Sequence, residues 1–395
     1  MVKKNYFLLF FIVFLSTFSL LKVFNNAVNL DTYEYGEWLI NYQSGFIRRG
    51  LSGEIIFQLS KIFNGNLQLT YFVILSSICL MFYRLNYILL KNIKFNFFTI
   101  LVLFSPLLYF FFIIINGVGV RKEILLFLFY LWYLISISSK GFDENSLWKF
   151  IFIFPILLFV HEGLFFYLPY ILIPILLVKK KGEHKNFIPH FLVLIFVSTI
   201  SMVILFFFKG SEKSVYEICQ SLINYTPIGC LERGPIFALK HNLLKDQANN
   251  SMSFFYLNAS YASWIGYLTY IVYSFIPLML LFKFVRIKNK IFYISIYFLI
   301  ISFSFPLFHV AEDWSRWFSI HIHLSVFLIF FLQNNKMIKY EISKKAKKFN
   351  NFFMNKKILL FLLLLTYCTF LHHEEYFSRD TKLEFTYYKI FKDLN

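Results

Sequence analysis

Two adjacent arginines among three glycines form the most distinctive chemistry-bearing run in the chain: Asn41-Tyr42-Gln43-Ser44-Gly45-Phe46-Ile47-Arg48-Arg49-Gly50-Leu51-Ser52-Gly53. Glycine lets backbone amides approach an anion, and a planar guanidinium fork suits phosphate or carboxylate better than an ammonium does. A second cationic run, Arg121-Lys122-Glu123, follows Asn116-Gly117-Val118-Gly119. It is expected to open a helix, whose amides and partial positive charge also favour an anion. His161-Glu162-Gly163 interrupts an apolar run, where ionisable groups are costly and proton transfer is the chemistry they suggest. Partial burial there raises a carboxyl toward the range useful for a base.

A fourth run, His309-Val310-Ala311-Glu312-Asp313-Trp314-Ser315-Arg316-Trp317, pairs residues three apart. A helical turn would set Asp313 beside Arg316, and Trp314 beside Trp317 as an interfacial belt or sugar platform. His321 and His323 lie one turn deeper, but two histidines do not make a metal site, and no metal or cofactor is expected. Asp31, Glu34 and Glu37 open the first polar loop and read best as a solvated face. Each cationic run also has a plainer reading: headgroup contacts for Arg48 and Arg49, an ordinary turn for Arg121, a helix-tying pair for His161 and Glu162.

The elements that must position these groups are membrane helices. Of 395 residues, 58% are hydrophobic and 15% charged, against roughly 25% charged in an average soluble protein. Apolar runs near 20 residues match the bilayer's hydrocarbon thickness, and Phe97–Ile115 lacks the alternation of a barrel strand. The expected fold is all-α: a polytopic bundle with about ten or eleven spans, forming one integral-membrane domain over 1–395. Spans fall at 5–24, 67–89, 97–116, 124–139, 190–208, 259–282, 291–308, 317–333 and 357–371. Tyr6–Leu21 follows Lys3 and Lys4 and reads as a retained signal-anchor.

Sidedness follows from the cations. With a cytoplasmic amino terminus, 23 Lys and Arg fall inside and 16 outside, as the positive-inside rule requires. The loops 25–66 and 209–258 are then periplasmic. Lysine carries the bias, with 21 of 31 inside, whereas 6 of 8 Arg lie outside: Arg48, Arg49, Arg121, Arg233, Arg316 and Arg379. Lysine therefore marks topology, and arginine is retained on the far face for another purpose. The net charge of +18 is mostly this topological lysine and implies no nucleic acid.

Segment 150–178 is too long for one span and short for two, and cytoplasmic lysines on both sides demand an even number of crossings. A short hairpin or re-entrant pair with His161 and Glu162 at its outer tip meets that demand. Cys219 and Cys230 lie eleven apart in a periplasmic loop, where a disulfide is one of two open states.

Gly45-Phe46-Ile47-Arg48-Arg49-Gly50, Arg121-Lys122-Glu123, His161-Glu162 and Asp313-Trp314-Ser315-Arg316-Trp317 together resemble the Wzy-type O-antigen and capsule polysaccharide polymerases. The span count and the larger late outside loop are similar too, so the likeness covers most of the chain as architecture. The resemblance implies a bacterial inner-membrane glycosyltransferase that polymerises repeat units on its periplasmic face. Its substrate would be an undecaprenyl-pyrophosphate-linked oligosaccharide, with membrane lipid around it and a chain-length regulator as a partner. Arg48, Arg49, Arg121, Lys122 and Arg316 would bind pyrophosphate, Trp314 and Trp317 the glycan, and His161, Glu162 or Asp313 would be the base. Two rivals remain: a glycosyltransferase of the C superfamily using a polyprenyl-monophosphate sugar and first-loop carboxylates, or a lipid-linked oligosaccharide flippase. A membrane O-acyltransferase with His161 as base is a weaker third.

Overall fold

The computed structural model describes residues 2–29, 33–111, 120–140, 144–178, 188–224, 230, 234–240, 261–284, 290–310, 314–336, 338, 342–369, 371–372 and 384–385. These are helices and their connections, apart from one antiparallel pair of two-residue strands, Leu371–His372 with Glu384–Phe385. Four helices are long and apolar enough to cross a bilayer: Tyr6–Val28, Leu67–Leu90, Ile188–Phe207 and Trp314–Asn334. A fifth follows if Ala346–Asn355 and Lys357–Thr369, bent by 101° at their junction, form one broken span.

Ile188–Phe207 shows how such a helix differs from one made for water. Its exposed stripe is Ile188, Leu192, Phe196, Ile200, Val203 and Phe207, while His190, Ser198 and Ser201 turn inward with Leu194 and Leu205. Small and polar residues inside let the helix lie close against Glu144–Val160, and the apolar residues are left on the outside. His190 packs against Trp148 with ring centroids 4.5 Å apart and the planes tilted by 42°.

The chain divides into two compact units, each built from separated stretches. One comprises Ile12–Asn86 and Gly119–Gln247. Within it, Ser19 and Tyr83 share a 2.7 Å hydrogen bond between the first helix and Leu67–Leu90. Glu144–Val160 stops at His161, whose backbone is extended (φ −158°, ψ 110°); a 3-10 turn, Glu162–Tyr167, then leads into Leu168–Val178. The helix thus breaks where the hairpin reading puts its tip.

The other unit comprises Met1–Phe11, Tyr87–Val118 and Ala248–Asn395. Here the span expected over 97–116 is not one helix. Asn96 caps Phe97–Leu103 by accepting from the Thr99 amide, and the helix ends after seven residues. Pro106 disfavours helical geometry at Ser105. The Ser105 hydroxyl instead donates to the Ser274 carbonyl at 2.7 Å, and residues 106–110 are turns.

Candidate functional site

The cationic runs of the first unit meet because a short helix, Tyr33–Trp38, is anchored at several points. Its Trp38 indole N–H donates to the Val120 carbonyl at 2.8 Å, which sets Arg121 beside it. Gly36 lies against Pro235 of Gly234–Phe237, where an added Cβ would stand 3.2 Å from Pro235 Cγ. Just beyond, Asn41 donates to the Ser221 hydroxyl at 3.3 Å, at the end of Glu212–Ser221. The Cys219–Cys230 disulfide is formed, with Cα atoms 6.0 Å apart.

The glycine-rich run serves packing rather than amide presentation. A Cβ on Gly53 would fall 2.0 Å from the Ile40 carbonyl oxygen, and one on Gly50 would enter the Tyr42 ring. Only such close approach lets Leu51–Ile62 abut the chain leaving Trp38. Gly45 is left-handed (φ +92°), a conformation glycine adopts at no steric cost. The Arg48 amide donates to the Phe208 carbonyl at 3.0 Å. Arg49 itself is left-handed (φ +63°), uncommon outside glycine, and its carbonyl accepts from Lys122 Nζ at 2.8 Å.

The arginines are held by carboxylates. Arg49 grips Glu162 with a fork: Nε stands 2.9 and 2.8 Å from the two oxygens, and Nη2 2.6 Å from Oε1. Arg48 Nη1 lies 3.9 Å from the same Oε1. Arg121 holds Glu37 at 2.9 and 3.3 Å, with its guanidinium 4.9 Å over the Tyr33 ring. His161 Nε2 faces Glu37 Oε1 at 3.9 Å and Glu123 Oε1 at 3.8 Å. Its Nδ1 accepts the Gly163 amide at 3.1 Å, so the neutral ring carries its proton on Nε2. The protonated nitrogen therefore faces two carboxylates, beyond hydrogen-bond distance of either.

Electrostatics corrects a second expectation. Burial alone would raise the Glu162 carboxyl, but Arg49, by charge and hydrogen bond, and then Arg48 outweigh it and hold the group well below the usual carboxylate range. Burial also acts to lower the Arg49 guanidinium, yet its pairing with Glu162 raises it. Burial pulls Arg48 down to about 10 against the opposing charge of Glu162. Lys122, fully buried, is pushed down to about 7 by desolvation, against the pull of Glu37. The solvated face expected at the first loop is likewise wrong for Glu34 and Glu37, which are both buried. Glu37 is the residue that composition hides best, because its partners lie far along the chain. Asp31 lies outside the described residues.

The remaining candidates belong to the second unit. Arg316 is buried with its guanidinium 4.4 Å over the Trp317 ring, which is itself buried, so Trp317 presents no open platform for a sugar. The Trp314 indole donates to the Phe308 carbonyl at 2.9 Å. His321 meets the Ser304 hydroxyl at 2.7 Å, and His323 Nδ1 the Ser319 carbonyl at 2.8 Å. Asp313 lies outside the described residues. Among those described, no three His, Cys, Asp or Glu stand together as a metal-binding group.

No family model matches the chain, and neither a curated protein nor a solved structure does. The fold and site together define a helical protein with four or five candidate membrane helices and a buried cluster of arginine, lysine, histidine and glutamate.

Proposed function

We propose that the chain is a polytopic inner-membrane glycosyltransferase of the polysaccharide-polymerase type. It moves a glycan from undecaprenyl pyrophosphate to the end of another lipid-linked repeat unit on the periplasmic face. The observation that carries the reading is the gathering of Arg48, Arg49, Arg121 and Lys122 from two separate loops around Glu37, Glu162 and His161. Guanidinium forks are suited to a diphosphate leaving group. Four helices long and apolar enough to cross a membrane, or five with the bent pair, support the membrane part of this reading.

In the reaction, an acceptor hydroxyl oxygen bonds to C1 of the donor sugar. The bond from C1 to the diphosphate oxygen breaks, its electron pair goes to the diphosphate, and the hydroxyl proton passes to a base. Arg48 and Arg49 stabilise the charge that grows on the leaving group; each charge-assisted bond contributes on the order of 1.5–3 kcal/mol. Arg316 belongs to the other unit and is tested on its own as a separate requirement for polymerisation. In a deletion strain complemented with Arg48→Ala or Arg316→Ala, surface polysaccharide should stop at single repeat units while protein levels hold. Normal long-chain ladders from both variants would refute the proposal.

The buried Glu37 in the first outer loop favours a second reading, transfer from a polyprenyl-monophosphate sugar. Label transfer from such a donor, and none from the diphosphate, would establish it instead.

A further inference from the structure

The two forked ion pairs of the cluster differ in one respect that matters. Arg121 and Glu37 are sealed, with 2% and 0% of their side chains exposed, whereas Arg49 and Glu162 are exposed by 20% and 11%. A sealed pair is framework; a pair at the accessible edge can be opened by an incoming anion. We infer that Glu162 is an internal stand-in for the diphosphate, its carboxylate occupying the Arg49 fork until a diphosphate ester displaces it.

Three observations support the exchange. First, the Arg49–Glu162 geometry, with both carboxylate oxygens within 2.9 Å of the guanidinium, is the planar two-point grip that guanidinium also makes on phosphate. Second, the backbone that carries the fork is fixed independently of Glu162. The Arg49 carbonyl is pinned by Lys122, the Arg48 amide is pinned to Phe208, and the left-handed backbone at Arg49 sets the direction between them. Removing the carboxylate therefore leaves both arginines anchored at the site by their backbone, with the Arg49 guanidinium open to another anion. Third, one carboxylate serves Arg49 closely but reaches Arg48 only at 3.9 Å. A diphosphate carries charge on two phosphorus centres and can engage both arginines closely, which gives it the advantage over Glu162 that displacement needs.

This inference rests on the polymerase reading for its consequence. Once released, Glu162 is an unclamped carboxylate beside the leaving group. It can then take the proton of the acceptor hydroxyl as that oxygen bonds to C1 and the C1–diphosphate bond breaks. The base is thereby silent until the donor is bound, and an empty site does not activate water.

The exchange is tested on the full chain in lipid nanodiscs by titrating inorganic pyrophosphate at fixed ionic strength, with sulfate as control anion. Glu162→Gln should bind pyrophosphate about tenfold more tightly than the unmodified protein, and its melting temperature should rise further on binding. Arg49→Ala should lose binding. Should Glu162→Gln fail to fold, Glu162→Asp, whose shorter side chain relaxes the fork, should show the same direction of change. Binding by Glu162→Gln or Glu162→Asp no tighter than that of the unmodified chain overturns the inference, as does binding retained in Arg49→Ala. The ladder assay is separate. Tighter pyrophosphate binding in Glu162→Gln, with no polymer made by the unmodified chain, would leave the exchange standing and remove the polymerase reading.

Discussion

A carboxylate taken out of water forfeits most of its hydration, and Glu37, with no exposed surface, is compensated by two bonds from Arg121. Removing one partner leaves the other charged and unpaired, so Arg121→Met or Glu37→Leu alone should destabilise the chain by about 3–5 kcal/mol. The double variant should recover much of that loss, because two apolar groups need no compensation. Thermal melts of the three variants check the expectation, and additive losses would show that the pair does not act as one unit. Lys122 gives the cluster a pH signature. Its ordinary value of 10.5 falls to about 7 in the folded state. Between those values the unfolded chain binds a proton that the folded chain does not, so stability rises as pH increases from about 7 toward 10. Below about 7 the penalty for burying the charge is present in full. Lys122→Met should flatten this rise, seen as a melting temperature that no longer climbs across the same window.

At the scale of elements, the contact between Leu51–Ile62 and the chain at Ile40 decides whether Arg48 and Arg49 are delivered to the cluster. Gly53→Ala would put a methyl 2.0 Å from a backbone oxygen, which no side-chain rotation relieves. It should displace the helix and cost about 3 kcal/mol or more, with loss of folded protein in detergent. Gly45→Ala, with nothing within 4 Å of the new carbon, meets only the left-handed backbone and should cost about 1 kcal/mol. Equal losses in fluorescence-detected melts would contradict this ranking. The span expected over 67–89 was legible, because an unbroken apolar run is a local property, and the structure has the helix Leu67–Leu90 there. The break within 97–116 was less visible: apolar residues continue unbroken, and only Pro106 beside Ser105 signals that the chain turns. The ion pairs were not legible at all. Arg121 meets Glu37 across 84 residues and Arg49 meets Glu162 across 113, and no spacing rule connects residues so far apart. Charge type identified the arginines as exceptional, but a guanidinium fork welcomes a carboxylate as readily as a phosphate.

For the whole molecule, sidedness is the property on which the site's substrate depends, and the structure supplies positions from which to measure it. The Arg48 amide is tied to Phe208, one residue past the end of Ile188–Phe207, and Glu212–Ser221 begins four residues later. A label on exposed Lys213 therefore reports the side on which the Arg48 backbone sits. The side expected to be cytoplasmic is probed at Lys344–Asn355, where Lys344, Lys347 and Lys348 are exposed, ahead of an apolar helix with Ile358 and Phe361 on its surface. The cation bias of the whole chain puts the lysines of 336–357 inside and the loop 209–258 outside, so the two labels should fall on opposite faces. The assay replaces Cys79 and Cys368, the two free thiols, and introduces Lys213→Cys or Lys347→Cys singly. A membrane-impermeant maleimide applied to spheroplasts should modify Lys213→Cys at once and Lys347→Cys only after permeabilisation. The reverse pattern would turn the cluster toward the cytoplasm, where exported lipid-linked repeat units are absent. Equal labelling of both before permeabilisation would deny that the membrane separates them.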